Sequence, residues 1–346
     1  MSLPKKAVIF NDTSHDYHLG CELVINNLTN LLKKNNITVI GKSKVGECWF
    51  ENQDILNKID TADLLIVNGE GTIHNTTMNA IWLLKVSEYA KKRNKKSVLI
   101  NSVYENNNIS LKKYMDCFDL ISVRESLSYK ELNSINVESQ VVPDLTFYSN
   151  FLTNNPLQNN EHILFGDCVK IKQSNLNLIQ SRIYNKSSFL SVLKSSVIKF
   201  NSLNPVHILK FIKNKFFFIL RSFIFKLNKD SFINTYQYRY YGASNIEEYI
   251  RKLNNSKIHI SGRFHSICFS ILSQTPFLAQ KSNTHKIQAL LNDIGLAHRL
   301  IDSEKLSLDL INHNSIFNKS EKDKINLYCK EAKTKIDNLF NKIANL

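Results

Sequence analysis

A chain of 346 residues with 43% hydrophobic residues has material for two cores, and no stretch is compositionally disordered for long. Only 9 Gly and 5 Pro argue against a β-sandwich rich in tight turns. The net charge of +15, from 45 Lys and Arg against 30 Asp and Glu, suits an anionic partner; lysines scattered among asparagines without an RNA-binding signature argue against nucleic acid.

Strand-like apolar runs occupy 7–10, 38–40, 64–67, 97–100, 120–123 and 140–142, and helical patterns fill 21–32, 80–91 and 125–132. That alternation predicts a parallel sheet covered by helices on both faces. The Asn-rich stretch 148–162 reads as a linker. A second unit follows with strands at 162–165, 257–260 and 276–279 and helices at 246–253, 264–273 and 286–291. Apolar residues at helical spacing over 322–343 give a closing helix. The expected architecture is therefore two doubly wound, Rossmann-like domains facing a cleft, over 1–150 and 160–318, with a C-terminal helix in 319–346.

The segment 205–228 mixes an apolar run with Lys210, Lys213, Lys215, Arg221 and Lys226. Two uses fit it equally: a helix on an anionic membrane surface, or one packed between domains or in a homodimer contact. No run of about eighteen apolar residues exists, so no transmembrane helix is expected. Six cysteines without a CxxC pair read as reduced thiols of a cytosolic protein and give no disulfide framework and no metal site. No signal peptide is recognised, and the expected location is the cytoplasm, at most peripheral at the inner face of the membrane.

Polar and glycine residues collect where the strands end. Asp12 and the run His18-Leu19-Gly20-Cys21 follow the first strand. Asn68-Gly69-Glu70-Gly71-Thr72-Ile73-His74 follows the third, its glycines suited to close backbone approach and Thr72 to capping the next helix. Arg124 and Asp144 follow later strands. In the second unit, Ser261-Gly262-Arg263-Phe264-His265 releases an arginine and a histidine between a buried strand and a helix, where free N–H groups favour anions. Asn283, Thr284 and Lys286 open the next helix in the same way. Arginine brings a planar fork for carboxylate or phosphate, and histidine a proton exchangeable near neutral pH.

The order of these elements resembles the polysaccharide pyruvyl transferase family. The likeness runs from about residue 7 to about residue 296 and is carried by Asn68 to His74, Ser122-Val123-Arg124-Glu125, Val142-Pro143-Asp144, Ser261 to His265, Thr275-Pro276-Phe277 and Asn283 to Lys286. It implies two domains of the glycosyltransferase-B type and action on surface-polysaccharide, capsule or lipopolysaccharide precursors. It also implies donor handling by Arg263, His265 and Arg124, with Gly69 and Gly71 in the glycine-rich turn and Lys286 at the family's late lysine. The chain departs from the family's Gly-Asp-x-Gly start and carries Glu70 as an extra acid.

Pyruvyl transfer from phosphoenolpyruvate needs an anchor for carboxylate and phosphate, a proton for the enol carbon and a base for the acceptor hydroxyl. Arg263, Arg124, Lys286, Asn283 and Thr284 are the expected donor contacts; His265, Glu70 and Asp12 are the expected catalytic groups. Gly69, Gly71, His74, His18 and Asp144 are expected on the acceptor side or in its loops, and neither metal nor cofactor is required. The partner is then a glycan or lipid-linked glycan. A glycosyltransferase using a CMP-activated 2-keto sugar acid would need a similar site, and a non-catalytic subunit of a glycan assembly complex is the third reading.

Overall fold

The computed structural model describes residues 3–151, 161–195 and 235–346. The basic segment 205–228 and most of the 148–162 linker lie outside the described residues. Strands β1 (Lys5–Asp12), β2 (Ile37–Lys44), β3 (Leu64–Glu70), β4 (Lys96–Ser102), β5 (Leu120–Val123) and β6 (Gln140–Val141) form one sheet in the order β2-β1-β3-β4-β5-β6. Strands β7 (Ile163–Cys168), β8 (Ser187–Leu190), β9 (Ile258–Gly262), β10 (Phe277–Gln280) and β11 (Leu300–Ile301) form a second, in the order β11-β10-β9-β7-β8. Every pairing in both is parallel.

The central strands are buried on both faces, β3 over its whole length, which is why they read as unbroken apolar runs rather than alternating ones. Each sheet starts in its middle, lays its second strand on one side and the remaining strands on the other. The order therefore reverses between β1 and β3, and again between β7 and β9. In open α/β sheets ligands bind at the carboxyl ends of strands beside such a reversal.

The first half carries α1 (Leu19–Lys34), α2 (Gln53–Thr61), α3 (Met78–Lys92), α4 (Lys112–Met115) and α5 (Ser126–Ser134). The second carries α6 (Ile171–Ile183), α7 (Ile246–Asn254), α8 (Phe264–Leu272), α9 (Lys286–Ile294) and α10 (Leu308–His313), and α11 (Lys319–Ala344) closes the chain. Among the described residues no helix is long and apolar enough to cross a membrane.

The structure corrects several local expectations. Thr72 does not cap α3; the loop runs on, and Thr77 accepts from the Ala80 N–H instead. Helix α11 starts three residues before the apolar pattern does, because Asn318 and Glu321 form a reciprocal capping box there. Helix α6 escapes hydrophobic periodicity altogether: it buries Ser174, Asn177, Leu178 and Ser181. Its polar groups are satisfied inside, Ser174 Oγ accepting from Cys168 N–H at 2.7 Å and Asn177 Nδ2 donating to Gly166 O at 2.8 Å.

One hydrophobic core runs through both halves. Ala7 and Ile9 of β1, Val24, Leu28 and Leu31 of α1, Phe264, Ile267 and Ile271 of α8, Leu290 of α9, and Ile336, Leu339 and Phe340 of α11 belong to it. Helix α11 also touches the first half through polar groups, Lys5 Nζ donating to Ala344 O at 2.7 Å and Lys342 Nζ to Gln140 Oε1 at 2.8 Å. Its start is pinned to the second half by Arg299, which is 2% exposed. Arg299 donates to both oxygens of Glu321, at 2.6 and 3.0 Å, and to the carbonyls of Phe277, Asn314 and Ile316.

Candidate active site

The two reversal points carry the site. After β7, Asp167 is fully buried and accepts from Arg263 Nε at 2.6 Å, directly across the β7–β9 pairing. After β3, Glu70 is 5% exposed and adopts a left-handed backbone, φ 46°. That conformation is uncommon for a non-glycine residue and tends to be held at functional sites. In the glycine-rich turn the left-handed residue is thus the glutamate and neither glycine. Gly69 is required by packing: a Cβ there would lie 2.3 Å from Ser102 Oγ on β4. Gly71 faces the cations, its Cβ position being 3.3 Å from Lys286 Nζ and 3.7 Å from Arg124 Nη2.

His265 enters from the first turn of α8 and lodges against the first turn of α1. A Cβ on Gly20 would sit 2.2 Å from the His265 ring, so only glycine admits the imidazole. His265 Nε2 lies 3.9 Å from Glu70 Oε2 and 3.8 Å from Asp144 Oδ2. Phe264, between Arg263 and His265, packs into the core and presents its ring to the Arg124 guanidinium at 4.1 Å. Arg124 pairs with Asp144 at 3.0 Å, both side chains almost fully buried. Burial pushes the Asp144 carboxyl up, but His265 and Arg124 outweigh it and hold it well below the usual range.

Asp144 Oδ1 also accepts from the Thr146 N–H at 2.9 Å. His18, expected on the acceptor side or in its loops, caps α1: its Nδ1 accepts from the N–H groups of Gly20 at 3.2 Å and Cys21 at 3.4 Å. Its ring meets that of His265 edge-on at 5.3 Å. Burial, and then His265, Arg263 and Lys286, push its pKa well down, so it is neutral at pH 7. Asp12 closes a turn, accepting from the Ser14 N–H at 3.0 Å, and Thr13 beside it donates to Glu70 Oε1 at 2.9 Å. His74 is half-buried on Asn75, with burial and then Lys286 holding its pKa down.

The loop before α9 completes the cluster. Lys286 Nζ donates to Asn283 Oδ1 at 3.1 Å. His285 clamps the loop to the first half through Glu125, at 3.1 Å, and Glu105, at 3.4 Å. Burial, followed by Arg124 and Arg263, lowers the Lys286 pKa to about 7. Affinity for sulfate, whose charge is constant from about pH 6 to 9, should therefore fall as pH rises through 7, by up to about tenfold per unit. Lys286→Arg should flatten that dependence in a calorimetric titration; an unchanged slope would assign it to another group.

Sequence reasoning gave no role to Asp167, Cys21, Glu105 or His285. Asp167 stands at a strand end like its neighbours, but no pattern links it to an arginine 96 positions later. Four of the expected residues carry buried polar atoms that find no hydrogen-bond partner among the described residues: Arg124 Nε, Arg263 Nη2, His265 Nε2 and Thr284 Oγ1. Such atoms are costly to bury unsatisfied, and these come from both halves. They fit an anionic ligand with several acceptor oxygens.

Among solved structures, a functionally uncharacterised protein from Klebsiella pneumoniae is 13% identical, covering 83% of this chain and 88% of that one, with a TM-score of 0.44. An O-GlcNAc transferase mutant from Thermobaculum terrenum is 9% identical over 98% of this chain and 66% of that one, TM-score 0.45. A UDP-N-acetylglucosamine 2-epimerase is 11% identical over 97% and 90% of the two chains, TM-score 0.44. No curated protein matches the sequence. The family described as polysaccharide pyruvyl transferase matches residues 5–279, a span holding both reversal points, Arg124, Arg263 and His265. The chain belongs to the polysaccharide pyruvyl transferase family and is a transferase of glycan biosynthesis.

Proposed function

We propose that this transferase moves the pyruvyl group of phosphoenolpyruvate onto a hydroxyl of a glycan or lipid-linked glycan. The observation that carries the reading is the convergence of unsatisfied donors on Arg124, Arg263, His265 and Thr284 at the two reversal points. Phosphoenolpyruvate offers a carboxylate and a phosphate close together, and the free edges of the two guanidiniums with Lys286 match that charge pattern. In the reaction the enol carbon takes a proton and the double-bond electrons leave C2 cationic. One acceptor oxygen bonds to C2 as its hydroxyl loses a proton. The C2–O bond to phosphate then breaks, and a second hydroxyl oxygen of the same acceptor bonds to C2 as it loses its proton, which closes a ketal. His265 is placed to deliver or hold a proton at the donor, and Glu70, 3.9 Å away, to receive the acceptor's. The fixed cations stabilise the departing phosphate.

Phosphoenolpyruvate should raise the melting temperature more than orthophosphate, CMP or a CMP-linked keto sugar acid at equal concentration. Arg263→Lys should weaken phosphoenolpyruvate binding by on the order of ten- to a hundredfold although charge is kept, because Asp167 holds one edge of the guanidinium and a single ammonium cannot serve both. Stabilisation by CMP-sugars alone would overturn the reading in favour of a glycosyltransferase.

The Gly20 contact gives a sharper test of geometry. Gly20→Ala must displace the His265 ring, and a displacement of about 1 Å costs roughly a hundredfold in turnover. Turnover of phosphoenolpyruvate, followed by phosphate release, should drop by about that factor while circular dichroism stays unchanged. A Gly20→Ala enzyme of full activity would mean that the ring's position does not matter.

A further inference from the structure

Nothing in the spacing of His18, Cys21 and His265 announces a metal site, and none was expected from the sequence. The fold nevertheless brings one ring nitrogen of each histidine and the Cys21 thiol within 4.8 Å of one another. We propose that His18, Cys21 and His265, with Glu70 as fourth ligand, form a binding site for a borderline-soft divalent cation of the zinc class. Cys21 Sγ lies 3.8 Å from Glu70 Oε2, and His265 Nε2 lies 3.9 Å from the same oxygen. With zinc–nitrogen and zinc–sulfur bonds of about 2.0 and 2.3 Å, neighbouring ligands of a tetrahedral site stand roughly 3.3–3.8 Å apart. The Glu70 oxygen already stands at about that distance from Cys21 Sγ and His265 Nε2, and the His18, Cys21 and His265 atoms close in from separations of up to 4.8 Å.

The set is selective in its chemistry. Magnesium and calcium prefer all-oxygen cages, whereas a thiolate, two imidazoles and one carboxylate suit zinc and its transition-metal neighbours. The backbone favours it too. His18 is the N-cap of α1 and Cys21 lies in its first turn, so both side chains stand at the same end of the helix; without a cation, burial and then Glu70 push the Cys21 pKa well up. Gly20, between them, is what lets His265 reach the pair. The unsatisfied buried nitrogen of His265 gains a partner when a cation binds, and the Cys21 thiol releases its proton.

The ligands come from both halves of the protein and include a group assigned above to the donor. Metal and phosphoenolpyruvate should therefore exclude one another, a consequence that rests on the proposed function, whereas the site itself does not.

The test is a cobalt titration of the full-length, chelator-stripped protein. One equivalent of Co²⁺ should give a thiolate-to-metal absorption in the near ultraviolet and intense visible bands of tetrahedral cobalt, all displaced by Zn²⁺. Cys21→Ser should abolish the near-ultraviolet band and weaken Co²⁺ binding by at least about tenfold, and His265→Ala should weaken it similarly, with circular dichroism confirming both folds. Only the weak bands of octahedral cobalt, or a thiolate band that survives Cys21→Ser, would overturn the site. If the tetrahedral spectrum forms but saturating phosphoenolpyruvate leaves it unchanged, the metal site stands and the assignment of His265 to the donor falls.

Discussion

His265→Ala is expected to lower turnover by about two to four orders of magnitude while the protein stays folded. The ring is 6% exposed, held between Gly20 on one side and the carboxylates of Glu70 and Asp144 on another. Its Nε2 has no hydrogen-bond partner among the described residues, and the Arg124–Asp144 pair stays when the ring is removed. What alanine does remove is a titratable group at the meeting point of the two halves that faces both acids. The measurement is phosphate release from phosphoenolpyruvate with a glycan acceptor, beside a thermal melt. Normal turnover in a folded His265→Ala enzyme would take the histidine out of the reaction and with it most of the case for this site.

The second large effect is on stability. Arg299→Leu should destabilise the protein by about 3–5 kcal/mol, because it strands the nearly buried Glu321 carboxylate and three carbonyls at once. The pH dependence has a definite sign. Burial raises the Glu321 pKa, but Arg299, the Asn318 N–H and His298 outweigh it and bring it down to about 2, from an ordinary 4.5. A carboxyl depressed on folding stabilises the folded state above its unfolded pKa. That contribution is complete above about pH 4.5 and drains away as pH falls toward 2. Urea melts across that range should show the loss in the parent, and a shallower acid dependence in Arg299→Leu. Equal acid slopes would mean that Glu321 owes its ionisation to the helix cap and His298.

The central strands were legible because a sheet covered on both faces leaves uninterrupted apolar runs such as Leu64 to Val67. Helix α6 was not, because its buried residues are serine and asparagine serving backbone groups, a pattern that hydrophobic periodicity passes over. The same division holds at the site. Arg263, His265, Glu70 and Lys286 stand at strand ends, where position alone marks them. Their partners do not announce themselves: Asp144 reads as a loop acid and proves to be the counter-ion of Arg124, and Asp167 meets Arg263 only because the second sheet places β7 beside β9. His18 and Cys21 look like the start of a helix, which they are. Only the docking of α8 against that start gives them a third neighbour.

The unbroken apolar core between the halves has a consequence for how the enzyme cycles. Two-lobed enzymes commonly open and close as rigid bodies on the microsecond to millisecond scale, a motion that a small, polar junction permits. Here such a swing would pull Phe264 and Ile267 away from Ile9 and Leu28 and wet them. The free-energy cost of that hydration opposes such a swing. On the proposed function, entry of the donor and release of phosphate fall to the short loops at the strand ends around residues 12–17 and 281–285, which contribute no residue to that core.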